Sequence, residues 1–227
     1  MITNFKLGVA IPLNFPMIPS SFFDSFISME KMNFIYIRAS QGNIDDMRNE
    51  MVYNALQSGC THLIMMDTDQ VYHSKTITRL LSHRLPVVGC LVYRRYPPFD
   101  PLMLKGSIDA YEVIKEWEKD SLVEVDATGT GCLLFETDVF RKMPYPWFRF
   151  RRRWKGDIVG EDIGFCSDLR GAGYKIFVDT AIPSDHLTQM RINDGTWKLY
   201  NRVKEVELKA MSQEHGEIVT KSVKEEM

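Results

Sequence analysis

The sequence has no apolar run near the roughly 20 residues that a membrane-spanning helix needs, so no such helix is expected. Its opening, Met1-Ile2-Thr3-Asn4-Phe5-Lys6, has no charged region leading into a cleavable apolar core. No export signal is therefore predicted, and a cytoplasmic protein is expected. Cysteine is scarce: Cys60, Cys90, Cys132 and Cys166 lie far apart without paired spacing. That pattern argues against a zinc site and predicts reduced, buried thiols. Charge of one sign is also lacking, since the formal net charge of -2 selects no class of partner. There is no internal repeat and no low-complexity segment. What the chain does have is 44% hydrophobic residues in 227, enough for a substantial core.

The first half alternates strand and helix. Leu7 to Leu13 reads as a strand ending near Pro12, and Ser20 to Phe26 as a helix start with a Ser cap signal. Phe34 to Ile37 is a second strand. Ile44 to Ser58 is an amphipathic helix carrying Met47, Met51 and Ala55 on one face, and Gly59 closes it. After a strand at residues 61–66, Ser74 is the expected cap of a helix that Pro86 ends, and Val87 to Tyr93 is another buried strand. This order predicts a parallel sheet with helices on both faces. The second half is less regular. A proline-rich break, Arg94-Arg95-Tyr96-Pro97-Pro98-Phe99-Asp100-Pro101, precedes a short strand near Leu102–Leu104 and a polar, weakly periodic stretch to Lys119. Strands follow at Leu122–Asp126 and Cys132–Phe135, then a helix opening at Gly160-Glu161-Asp162, and a last strand at Tyr174–Val178. Asp179 to Leu187 reads as a loop, and a surface helix is expected from Thr196, fraying after Gly216.

The organising stretch is Thr61-His62-Leu63-Ile64-Met65-Met66-Asp67-Thr68-Asp69. Its apolar run without alternation suits a strand covered on both faces. Residues two apart in an extended chain point the same way, so Asp67 and Asp69 can aim at one point beyond the strand's carboxyl end. Two carboxylates there repel unless a cation sits between them, which suggests a divalent metal. The alternative is a turn in which an Asp caps the next helix.

Further motifs stand in a fixed order around it. Arg48-Asn49 precedes the strand; Gly129-Thr130-Gly131 leads into another; Pro144-Tyr145-Pro146-Trp147-Phe148, Glu161-Asp162 and Asp185-His186 follow. Taken together, residues 5 to 190 resemble the GT-A glycosyltransferases, the nucleotide-sugar-dependent enzymes typified by family 2. The resemblance implies an α/β fold with a mixed, mainly parallel sheet flanked by helices and a C-terminal helical extension. It divides the chain into a domain over 1–190, with a nucleotide-binding half (1–95) and an acceptor-binding half (96–190), and an extension over 191–227.

It also implies roles. Asp67 and Asp69 match the family's Asp-x-Asp motif, with His186 completing a site for Mn2+ (or Mg2+). Mixed carboxylate and imidazole ligation suits manganese better than calcium. Asp162 matches the general base of inverting members, with Glu161 beside it positioning the acceptor. Pro12, Asp46, Arg48, Asp67 and Thr68 fall where the nucleotide is held, and Gly129, Thr130 and Gly131 where the donor sugar lies. Trp147 and Arg152 are expected on the acceptor side, Trp147 by stacking on a sugar ring. The implied reaction moves a sugar from a UDP-sugar, or less readily a GDP-sugar, to a hydroxyl acceptor.

The chain departs from part of that pattern. The loop from Phe148 to Lys155 lacks the Gln-x-x-Arg-Trp signature of processive polysaccharide synthases. A nucleotidyltransferase is disfavoured because Pro12 to Pro19 has no glycine for a triphosphate loop. A second class of function stays open. The basic run Arg149, Arg151, Arg152, Arg153 and Lys155, with Trp154 for stacking, suits a polyanion or nucleic acid. The two classes meet in a glycosyltransferase with an anionic acceptor such as modified DNA.

Overall fold

A computed structural model describes residues 5–30, 32–153 and 156–206. The chain separates into two compact units at Leu187/Thr188. In the first, β1 (Leu7–Pro12), β3 (His62–Met66) and β5 (Val87–Val92) are almost wholly buried. Their uninterrupted apolar runs are explained by cover on both faces, with alternate side chains entering two separate cores. Leu7, Val9, Ile11, Ile64 and Met66 face α1 (Ser20–Ser28) and α3 (Thr76–Ser82), meeting Phe22, Ile77 and Leu80. Ala10, Leu63 and Met65 face the other way, onto Met47, Met51, Val52 and Ala55 of α2 (Ile44–Gln57). An aromatic cluster extends that second core. Phe140 of α4 (Asp138–Lys142) stacks at 5.5 Å on Phe165 of α5 (Glu161–Gly171), and Phe148 lies 4.5 Å from Phe165.

The sheet is mixed. With β2 (Phe34–Ala39), β4 (Gln70–Val71), β9 (Cys132–Glu136) and β12 (Ile176–His186), the strand order is β2-β1-β3-β9-β5-β12-β4. β8 (Leu122–Val125) also pairs with β12. β1 runs parallel to both β2 and β3, and β12 parallel to β5. β9 enters antiparallel between β3 and β5, so these consecutive parallel strands are not neighbours. The mainly parallel α/β fold expected from the strand–helix order is present; the wedge of β9 is a long-range pairing that local periodicity does not encode.

Three local expectations are corrected. The segment Asp179–Leu187 is not a loop: β12 continues to His186, with a register shift between Asp179 and Ser184 and a new partner in β4. Backbone pairing with β4, distant in sequence, extends it. The polar stretch before Lys119 contains a hairpin of β6 (Leu104–Ser107) and β7 (Ala110–Val113). Ser74 does not cap α3, whose N-cap position is Lys75.

In the second unit, a helix spans 194–206. The Asn193 side-chain oxygen accepts from the backbone N–H of Gly195 (2.9 Å) and Thr196 (3.2 Å), which starts it. The expected fraying after Gly216 lies outside the described residues, as do Trp154 and Lys155. Among the described residues no helix is long and apolar enough to cross a membrane.

Asn49 fastens α2 to the chain after α4. Its side-chain amide donates to the Phe148 carbonyl (2.7 Å), and its oxygen accepts from the N–H groups of Trp147 and Phe148 (3.0 Å each). Asn49→Ala strands these buried groups. At about 1–3 kcal/mol for an unmet buried polar group, the expected result is a Tm lower by about 2–12 °C, read by thermal denaturation. A melting point unchanged from wild type would remove this clamp from the account of stability.

Candidate active site at the carboxyl end of the third strand

The turn after β3 is held from below. The Asp67 N–H donates to the Gly131 carbonyl at 2.9 Å, and the buried Tyr72 hydroxyl lies 2.7 Å from the carbonyls of both Asp67 and Gly131. Gly131 is required by close approach. A Cβ there would stand 2.0 Å from Gln70 Nε2 and 2.8 Å from Asp67 Oδ2. Gln70 is itself buried and accepts from the Ser184 hydroxyl at 2.8 Å. Pairing of β4 with the end of β12 sets His186 opposite Gln70, and the Leu187 N–H donates to the Asp69 carbonyl at 2.7 Å. Two residues 117 positions apart by number, Asp69 and His186, therefore become neighbours.

Two charged clusters result. In the first, the Arg48 guanidinium reaches the Asp67 carboxylate (Nη2–Oδ2 3.2 Å) and the Glu161 carboxylate (Nε–Oε1 2.9 Å), although Arg48 is only 4% exposed. Asp162 follows at the first turn of α5 and accepts from the Ile163 N–H at 2.7 Å. Burial pushes the Asp162 carboxyl above its ordinary value, and the Arg48 charge and the Ile163 N–H only partly offset it. Glu161 is raised for the same reason, burial outweighing Arg48. Burial disfavours the Arg48 charge, but Asp67, Glu161 and Asp162 together hold it more firmly protonated than usual. Three carboxylates thus share one buried cation.

In the second cluster, Asp69 Oδ2 lies 2.7 Å from Arg95 Nη1 and 3.3 Å from His186 Nε2. His186 Nδ1 is 2.7 Å from the Tyr93 carbonyl, which can only accept, so Nδ1 carries a proton and Nε2 is turned toward Asp69. Burial opposes both charges. The bonds to His186 and Arg95 nevertheless hold the Asp69 carboxyl below its ordinary value, and those to Asp69 and Tyr93 raise His186.

The residues expected from the sequence divide accordingly. Asp69 and His186 are in contact. Asp67, expected beside them as a ligand, is paired instead with Arg48, and among the described residues no three His, Cys, Asp or Glu side chains close into a metal cluster. Arg48, expected to face the nucleotide, is an internal cation, because a guanidinium this deep requires carboxylate partners. Glu161, expected to position the acceptor, spends its carboxylate on Arg48. Gly129 and Gly131 adjoin the site: a Cβ on Gly129 would lie 3.7 Å from Asp162 Oδ2. Thr130, between them, is buried with no hydrogen-bond partner for its hydroxyl. Thr68 is half-buried in the turn itself.

Others lie apart. Trp147 is not available for stacking on a sugar: it is 7% exposed, packs edge-on against Phe140, and donates its indole N–H to the Phe140 carbonyl at 2.9 Å. Asp46 is exposed and lines a hollow with Asn49, Glu50, Tyr53 and Tyr145. Pro12 is buried at the end of β1, in register with Ala39. Arg152 is exposed on the short hairpin of β10 (Arg151–Arg152) and β11 (Ile158–Val159), where its guanidinium donates to the Gly156 carbonyl at 3.3 Å. Much of the basic run is engaged internally. Arg149 and Arg151 both pair with Asp168, and Arg153 donates to the Ile108 carbonyl. Sequence reasoning assigned no role to Arg95, Gln70 or Tyr72. The adjacent Arg94-Arg95 after a buried strand is the only signal it offered.

This arrangement of sheet and helices is the GT-A fold shared with glycosyltransferases. Among solved structures, the chain is similar to A197 from STIV, with a TM-score of 0.54 and 16% identity over 82% of this chain and 87% of that one. It is also similar to GalNAc-T7 solved with UDP, GalNAc and Mn2+, with a TM-score of 0.50 and 11% identity over 84% of this chain but 45% of that one. No protein-family model and no curated protein matches the sequence.

Gly131→Ala is expected to destabilise by about 1–3 kcal/mol or more, the usual cost of overpacking. By contrast, Gly171→Ala, whose Cβ meets nothing within 4 Å, is expected to stay within about 1 kcal/mol of wild type. Paired urea unfolding curves test this. Equal midpoints for the two variants would contradict the close packing of Gln70 and Asp67 on Gly131.

Proposed function

We propose that the chain is a metal-dependent glycosyltransferase. It transfers a sugar from a nucleotide-sugar donor, UDP-sugar favoured, to an acceptor hydroxyl, with inversion at the anomeric carbon. The contact of Asp69 with His186 beyond the third strand carries this reading. The donor set fits Mn2+ or Mg2+: one carboxylate oxygen and one imidazole nitrogen whose opposite N–H is anchored on a backbone carbonyl. Two protein ligands suffice for a cation that shares substrate phosphates. GalNAc-T7, of like fold, was solved with UDP and Mn2+.

Asp69 and His186 would hold the ion, which stabilises negative charge on the departing diphosphate. Asp162 accepts the proton of the acceptor hydroxyl as that oxygen bonds to the anomeric carbon and the bond to the diphosphate oxygen breaks. Arg48 pairs with both Glu161 and Asp67 and fixes their positions beside Asp162, a positioning role. Asp67, partly open to solvent, is assigned to the ribose, and the backbone of Gly129, Thr130 and Gly131 to the donor sugar, with Gly129 beside Asp162. The nucleotide is assigned to the half before residue 96 and the acceptor to the half after it.

Screening nucleotide diphosphates for thermal stabilisation identifies the donor base, since a ligand of the native state alone raises Tm. Release of the nucleoside diphosphate should then require Mn2+ or Mg2+ and fall by about 10²–10⁴-fold in Asp162→Asn, the range for loss of a general base. Full turnover in EDTA, or in Asp69→Ala, would sink the assignment.

The reaction should also depend on pH with a definite sign. A base must be deprotonated, so kcat/KM climbs as pH rises through the Asp162 pKa. Because burial raises that pKa, the acidic limb should lie above the ~3.9 of an unperturbed aspartate. A profile flat down to pH 4 would exclude Asp162 as the base.

A further inference from the structure

The oxygen of Asp69 that faces His186 is the one that Arg95 holds. Arg95 Nη1 lies 2.7 Å from Asp69 Oδ2, closer than His186 Nε2 at 3.3 Å. A guanidinium and a divalent cation repel and compete for that oxygen. Arg95 stands on a segment whose backbone is closed on itself: the Arg94 N–H donates to the Asp100 carbonyl and the Phe99 N–H to the Tyr96 carbonyl, each at 2.9 Å. Its side chain is 43% exposed and has no other charged partner among the described residues, with the Tyr96 ring 5.9 Å away. The head can therefore leave Asp69 without leaving an uncompensated buried charge. Tyr93, two residues earlier, anchors His186 through its carbonyl, so the segment that bears the arginine also orients the imidazole.

Resting on the glycosyltransferase reading, we propose that Arg95 is an exchangeable counter-ion. It neutralises Asp69 in the absence of a divalent cation and passes to the diphosphate of the donor when the cation binds. The planar fork of a guanidinium matches two phosphate oxygens, and a diphosphate is the anion that accompanies the metal into such a site. The exchange conserves charge pairing: Asp69 trades one cation for another, and the arginine trades a carboxylate for a phosphate.

The two halves of this role have opposite signs in one variant. Titration calorimetry on the full chain, with Mn2+ alone and then with UDP at saturating Mn2+, separates them. Arg95→Ala removes a competitor, so it should bind Mn2+ about threefold to tenfold more tightly than wild type, the scale of a partly exposed ion pair. It should bind UDP about tenfold more weakly, the scale of one charge-assisted contact. Arg94→Ala, with the same loss of charge one residue away, should change each by less than about twofold. An Arg95→Ala protein with wild-type affinity for both ligands overturns the exchange while leaving the glycosyltransferase reading intact. Wild-type protein that binds neither Mn2+ nor UDP overturns both.

Discussion

A single buried guanidinium joins the parts of this site. Arg48 comes from α2, Asp67 from the end of β3, and Glu161 from the start of α5, and the guanidinium holds both carboxylates. Taking such a cation out of water costs several kcal/mol, and only nearby carboxylates recover it. The three elements are thereby tied at one point, and losing the guanidinium leaves the buried Glu161 carboxylate without its partner. That constraint explains why Arg48 and Glu161 face inward and not toward a ligand. It also leaves Asp162, the third acid near the same charge, under-compensated, so burial dominates and its carboxyl is raised.

The second device is the long last strand. β12 begins beside β5 and β8, shifts register, and finishes against the two residues of β4. Because β4 directly follows Asp69, this pairing brings His186 to the acidic turn. Gly131 completes the same corner from β9, its missing Cβ leaving room for Gln70 and Asp67. Strand pairing across the sheet, more than any local motif, therefore assembles the acidic corner. The two electrostatic clusters built on it differ in kind. The Arg48 cluster is built on a buried cation, whereas the Asp69 cluster holds one partner, Arg95, on an exposed segment.

Much of the architecture was legible without coordinates. Continuous apolar runs at residues 7–12, 63–66 and 87–92 identify strands buried on both faces, and the face of α2 identifies its packing side. The helix start at Glu161-Asp162 and the strand after Gly131 also follow from local pattern. Less legible were the pairing of β9, the extension of β12 and the hairpin of β6 and β7. Each depends on hydrogen bonds to segments distant in sequence, which leave no periodic trace. Trp147 shows the same limit for a single residue, since an indole suits a sugar face and a core equally well until its N–H finds the Phe140 carbonyl.

The sequence by itself determined the layered α/β class, the strand that ends in Asp67 and Asp69, and the types of side chain available for chemistry. Those are local properties: periodicity, residue type and spacing along one strand. Only the tertiary structure decided which acid meets which base. It gave Asp67 to Arg48 and Asp69 to His186 and Arg95, and it buried Trp147. Ion pairing and burial depend on distances across the fold, and a chain whose contacts close over a hundred residues does not write those distances into neighbouring letters.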